Sequence, residues 1–137
     1  MKTYITVLIS LIFVACGSYT SDGTVNYREP TSTELALFDK VKQLYQKTQY
    51  NIVGIDEIGL GFATSAEIER ISGAKASGFA TLPRIYLLDN PMIDQCWVMV
   101  HELMHISMYY LTGDSDQAHA NSEAFNVFPG ELCGELK

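Results

Sequence analysis

The stretch that decides the fold is "MIDQCWVMVHELMHISMYYLTG", residues 92–113. It is apolar nearly all round, and a helix without a polar face is typical of the middle of a domain. The flanking residues suit the two ends of a helix: Asn90 suits the N-cap, Pro91 suits the first helical position and Gly113 suits the C-terminal end. We therefore predict a buried central helix over residues 92–112.

Three ionisable side chains interrupt this apolar helix: His101, Glu102 and His105 spell H-E-x-x-H. Residues four apart lie on one face of a helix, so both imidazoles can bind one metal ion, with Glu102 beside it. A helix that merely contains two unrelated histidines is the alternative, but burying these groups without partners would cost on the order of several kcal/mol. The spacing predicts a zinc site in which a zinc-activated water reacts with Glu102 as its general base.

A third protein ligand has two candidates in the sequence. His119 follows His105 after a short polar turn, and Glu123 lies one helical turn later. We favour His119, because imidazole nitrogen is a good zinc ligand, and Glu123 then becomes a hydrogen-bonding neighbour of the site. Glu123 as the third ligand remains the alternative. Asp116 is a weaker candidate, because its position also suits a helix cap.

This region, residues 80–128, resembles the zincin metallopeptidases. The resemblance rests on "HELMH" in a buried helix that follows a β-type run and precedes a third-ligand candidate. "DSDQAH" is similar to small members whose third histidine follows an aspartate-containing turn, whereas a glutamate on a second helix is typical of gluzincins. The resemblance implies hydrolysis of peptide bonds in a peptide or protein substrate. It also implies that the substrate lies along residues 82–88, where Pro83 favours an edge strand.

The remaining chain predicts a small α+β, zincin-like domain. Residues 31–48 have a helical apolar period and a capping-box pattern at Thr31 and Glu34. Residues 50–88 contain short β-type runs, with "SAEIERIS" open to either helix or strand. A last helix is expected from Ser115 or Asp116 to Phe128, and Pro129 and Gly130 are expected to end it. The fold class is thus an N-terminal helix, a short and mostly antiparallel sheet, a buried active-site helix and a C-terminal helix.

The N-terminus predicts export. "YITVLISLIFVA", residues 4–15, is shorter than the roughly 20 apolar residues that span a membrane and fits a signal-peptide core. "FVACGS" resembles a bacterial lipobox, which implies lipid on Cys16. We expect a signal peptide at 1–15, a polar tether at 16–30 and a metallopeptidase domain at 31–137, anchored by lipid outside the cytoplasm in the cell envelope. Simple secretion and an uncleaved anchor remain alternatives.

The net charge excludes one class of function, and the cysteine content bears on the cellular compartment. The net charge of −7 excludes an electrostatic basis for nucleic-acid binding. Cys96 and Cys133 form an even pair that can join as a disulfide in an oxidising compartment or stay as two buried thiols. Two alternatives to a general metallopeptidase remain: a zinc-stabilised binding lipoprotein without turnover, and a zinc hydrolase that acts on cell-wall peptides.

Overall fold

The structure is a computed structural model that describes residues 24–137 and the backbone of residues 12–14. Its four strands are β1 (Ile12–Val14), β2 (Gly59–Ala63), β3 (Gly78–Thr81) and β4 (Arg84–Leu88). Its α-helices are α1 (Ser32–Tyr45), α2 (Ser65–Ser72), α3 (Gln95–Thr112) and α4 (Phe128–Gly134), with a 3-10 turn at Ile55–Glu57 and a π-helix at Glu123–Val127. This mixture of helices and one small sheet confirms the predicted α+β class.

The sheet has the strand order β1-β3-β4-β2. The β1–β3 and β3–β4 pairs are antiparallel, and the β2–β4 pair is parallel. The prediction that residues 82–88 form an edge strand is therefore wrong, because β4 is paired on both sides. Leu82 and Pro83 instead form the tight link between β3 and β4, and the Pro83 carbonyl accepts a hydrogen bond from Gly59 N at 2.9 Å.

Two apolar layers enclose the sheet. Alternate residues of a strand point to opposite faces, so Ile85 and Leu87 pack in the main core with α1 and α3, while Tyr86 points the other way. Tyr86 joins Phe79 and the α2 residue Ile68 in a second cluster. The centre of α3 is buried from Val98 to Met108, as its apolar sequence predicts.

The first turns of α1 and α3 show which of the possible capping residues the structure uses. Thr31 and Glu34 form the predicted capping box of α1. The central helix begins later than predicted, because Asp94 is its N-cap and accepts from Trp97 N at 3.0 Å. Asn90 closes a turn before it, accepting from Met92 N at 2.9 Å. An Asn-Pro pair is also a turn signal, and here the turn prevails.

The C-terminal helix differs from its prediction. Residues 113–122 form a loop in which only Ser122 is helical, and the π-helix Glu123–Val127 runs directly into α4. Pro129 does not end the helix but lies in the first turn of α4. A proline is tolerated there because the first-turn N–H groups have no intrahelical acceptor. Cys133 of α4 is joined by a disulfide to Cys96 in the first turn of α3, with Cα atoms 6.0 Å apart.

The N-terminal expectations fall only partly within the described residues. Cys16 and most of the predicted signal peptide lie outside them, although residues 12–14 form β1. Residues 24–30, expected as part of a flexible tether, lie against the domain: Arg28 forms a β-bridge with Phe62 and ion pairs with Glu34 and Asp89. Within the described residues, no helix combines the length and apolar character needed to cross a membrane.

Candidate metal centre

The three histidines of the chain come together at one place. Their rings lie 4.8–5.2 Å apart between centroids, and one ligand nitrogen from each lies within 4.8 Å of the other two. His105 Nε2 and His119 Nε2 are 3.1 Å apart. The cluster could hold a metal ion, as expected for His101, His105 and His119.

Backbone carbonyl groups orient the two histidines of α3. His101 Nδ1 donates to the carbonyl of Phe125 at 3.0 Å, and His105 Nδ1 donates to the carbonyl of Ser115 at 2.8 Å. A carbonyl oxygen can only accept, so the hydrogen of each neutral ring is on Nδ1 and the lone pair is on Nε2. Such a contact fixes both the tautomer and the ring orientation of a metal ligand.

The loop after α3 brings His119 back to the helix. His119 and Asp116 both have a left-handed backbone, with φ values of 54° and 51°. This conformation is unfavourable for residues other than glycine and often marks functional sites. The Asp116 carboxylate accepts from Ala120 N at 2.8 Å and from Asn121 N at 2.7 Å. Asp116 therefore shapes the loop that carries His119 and is not itself a member of the histidine cluster.

Phe125 forms the floor of the histidine cluster. Its ring is fully buried, with its centroid 5.3, 4.5 and 4.9 Å from those of His101, His105 and His119. The π-helix that contains Phe125 thus supplies both the carbonyl that accepts from His101 and the ring beneath all three imidazoles. Single π-helical turns are frequent at functional sites.

Burial favours the neutral form of the three histidines. Burial lowers the pKa of His101 to about 4 and that of His105 to about 3, and it also lowers the pKa of the less buried His119. Neutral imidazole is the form that binds a metal ion. At neutral pH the cluster therefore offers three uncharged nitrogen ligands.

Glu102 is the most isolated polar group of the site. Its side chain is 1% exposed, and Oε2 has no hydrogen-bond partner among the described residues. Burial raises the pKa of this carboxyl well above its usual range. Such a buried, unpaired acceptor costs about 1–3 kcal/mol, so its presence calls for an explanation other than stability. A positive ion held by the adjacent histidines would supply one.

A cleft of about 360 Å³ opens onto this site. It gives access to His101, Glu102 and His119. The other residues that line it are Lys75, Ala76, Ser77, Trp97, Val98 and Asn126. Trp97 stacks on His101 with ring centroids 4.8 Å apart, so it is part of the site wall as well as of the core.

The histidine cluster includes only one of the two candidate third ligands, His119. Glu123 is exposed at the start of the π-helix and is not part of the histidine cluster. Lys75, Asn126 and Phe125 were missed by sequence reasoning. The lysine and asparagine lie in polar segments without any motif, and Phe125 resembles an ordinary core residue, so no sequence signal identifies them.

Comparisons of this chain with known protein families, with curated proteins and with solved structures found no match.

Proposed function

We propose that this protein is an extracytoplasmic zinc metallopeptidase that hydrolyses peptide bonds with Glu102 as general base. The observation that carries the proposal is a buried carboxyl, Glu102, whose Oε2 has no hydrogen-bond partner among the described residues and which lines one cleft with His101 and His119 of the histidine cluster. Three nitrogen ligands from histidine are typical of catalytic zinc, which keeps a fourth position open. His101, His105 and His119 would hold the ion, which would acidify a water molecule and polarise the substrate carbonyl.

The role of Glu102 follows from its surroundings. A general base works best when its pKa is near the operating pH, and burial moves the pKa of this carboxyl upward. Glu102 would take a proton from the attacking water and return it to the leaving amine as the peptide bond breaks. The carbonyls of Phe125 and Ser115 would hold His101 and His105 in position during these steps.

The edge of β3 that β1 occupies would bind the substrate. β3 and β4 are the two inner strands of the sheet, and β1 pairs with β3 on the side away from β4. Cleavage before Cys16, as proposed for export, would remove β1 and leave this edge open to an antiparallel peptide. Gly78 of β3 lies close to Glu102, because a Cβ atom at Gly78 would be 3.1 Å from Glu102 Oε1. A peptide on this edge would therefore pass beside the base.

The cellular location is part of the proposal. The apolar run and "FVACGS" support export and lipid on Cys16. The disulfide between Cys96 and Cys133 supports an oxidising compartment, because such bonds are rare in the cytosol. The lipid on Cys16 would then anchor the protein to the membrane.

Metal analysis and peptidase assays on purified variants test the proposal. The wild type should contain one zinc ion per chain, and His101→Ala, His105→Ala and His119→Ala should lose it, whereas Glu123→Ala should keep it. Glu102→Gln should keep zinc and lose about 10²–10⁴-fold in the rate of digestion of an unfolded polypeptide. A Glu102→Gln variant as active as wild type would exclude the peptidase and leave a zinc-stabilised binding lipoprotein. Zinc retained by His119→Ala but lost by Glu123→Ala would make Glu123 the third ligand.

A further inference from the structure

The pairing of β1 with β3 gives the direction of a peptide that would take the place of β1 once the proposed signal peptide is removed. Ile12 lies opposite Thr81 and Val14 lies opposite Phe79. An antiparallel chain in this register therefore runs, from its N-terminus to its C-terminus, past Thr81 first and toward Gly78. Beyond Gly78 it would follow Ser77, Ala76 and Lys75 in that order. These three residues line the cleft at the histidine cluster.

Gly78 marks the point at which such a chain meets the reacting groups. A Cβ atom added at Gly78 would lie 3.1 Å from Glu102 Oε1 and 2.9 Å from a methyl group of Val98 in α3, so the Gly78 backbone lies close to both side chains. A peptide bond cleaved near Gly78 would leave its C-terminal fragment alongside residues 75–77. Residues 75–77 lie outside β3, and three residues span at most roughly 10 Å, so the Lys75 backbone lies within that distance of Gly78. That distance is spanned by one to three residues once the long lysine side chain is included.

Lys75 is the residue that gives this end of the cleft its charge. Its side chain is exposed, and it is the only lysine or arginine among the described residues that line the cleft. The sole carboxylate of that lining is Glu102, although the chain as a whole carries a net charge of −7. The end of the cleft that receives the C-terminal fragment is thus locally positive in an acidic protein.

We propose that Lys75 binds the free C-terminal carboxylate of the substrate and thereby selects peptides that end one to three residues after the scissile bond. The inference rests on the proposed function for the cleavage itself. Water adds across the peptide bond, and the products are a short C-terminal peptide with a new amino group and a longer peptide with a new carboxylate. Lys75 is a specificity-determining residue that acts through charge, so arginine should replace it and alanine should not.

A binding experiment tests this without requiring turnover. The probes are two peptides of one sequence, one ending in a free carboxylate and the other in a carboxamide. Their dissociation constants are measured by calorimetry on the mature protein that begins at Cys16, in its zinc-loaded Glu102→Gln form, which should consume them about 10²-fold more slowly than the wild type or slower still. The carboxylate form should bind about 3- to 10-fold more tightly. Lys75→Ala should abolish the difference and Lys75→Arg should keep it. Lys40→Ala, which removes an exposed lysine of α1, is the matched control and should also keep it.

The outcomes separate this inference from the proposed function. Equal affinity for both peptides, no measurable binding of either, or a preference that survives Lys75→Ala would overturn the role of Lys75. Mass spectrometry of digests by the protein with native Glu102 should show released fragments of one to three residues. If no digestion occurs but the carboxylate preference depends on Lys75, the peptidase proposal fails and the carboxylate site stands.

Discussion

Replacing Glu102 by methionine should stabilise the metal-free protein while removing its general base. Methionine has a similar length and helix propensity, and it lacks the oxygen atoms that the site leaves unpaired. The side chain of Glu102 is 1% exposed and Oε2 has no partner among the described residues. Removal of a buried, unsatisfied polar group is worth about 1–3 kcal/mol. For a domain of about 100 residues, this corresponds to a rise of roughly 4–12 °C in Tm.

The effect should depend on pH with a defined sign. Burial raises the pKa of Glu102 in the folded protein above the ordinary value of 4.5. Below pH 4.5 the carboxyl is protonated in both the folded and the unfolded chain, so the wild type bears no ionisation penalty. As the pH rises from 4.5 toward the folded pKa, the unfolded chain gains by ionising and the wild type loses stability. The advantage of Glu102→Met should therefore grow between pH 4.5 and neutrality.

Chemical denaturation of protein stripped of metal by chelation measures this difference at pH 4.5 and pH 7.5. Glu131→Met is the control, because it removes the same charge from an exposed position in α4. The control should change the free energy of unfolding by less than about 0.5 kcal/mol. A Glu102→Met variant that is less stable than wild type, or equally stabilised at both pH values, would refute the conclusion that this carboxyl is kept at a cost to the fold.

Three further predictions concern other parts of the molecule. Cys96→Ser combined with Cys133→Ser should lower the free energy of unfolding by about 3–4 kcal/mol, because the bond closes a loop of 37 residues; denaturation curves that match wild type under non-reducing conditions would contradict this. Gly78→Ala should lower both stability and peptidase activity, because its Cβ would lie 2.7 Å from the Tyr86 carbonyl and 3.1 Å from Glu102 Oε1. Gly130→Ala is the control, because a Cβ atom at Gly130 would meet open space. Radiolabelled fatty acid should be incorporated into the wild type and not into Cys16→Ala; label that persists in the variant would exclude this residue as the lipidation site.

Local sequence patterns were enough to predict the two long helices, α1 and α3. The apolar run around His101 and His105 predicts a buried helix, and α3 is buried from Val98 to Met108. The capping box at Thr31 and Glu34 places the start of α1. These predictions succeed because burial and capping are local: the residues that form the element also carry the signal for it. The ends of the helices were harder to predict near Asn90 and Pro129, because each of these residues suits both a turn and a helix.

Which strands are neighbours could not be read from local sequence. Residues 82–88 have the composition of a strand, but only the pairing of β4 with both β2 and β3 shows that they are central. Strand order depends on which distant segments add to each edge, and a strand's own residues say little about its partners. The prediction that residues 82–88 form an edge strand therefore failed once the strand order was known.

The sequence by itself determined that two histidines share one helical face, and the tertiary structure decided which third side chain joins them. The spacing of His101 and His105 places two imidazoles on one helical face through the geometry of the helix alone. The choice of His119 over Glu123 for the cluster depends on the path of a loop that Asp116 folds back through its hydrogen bonds to Ala120 and Asn121. Loop paths are set by contacts between residues far apart in the chain or without periodic pattern, so only the folded molecule reveals them.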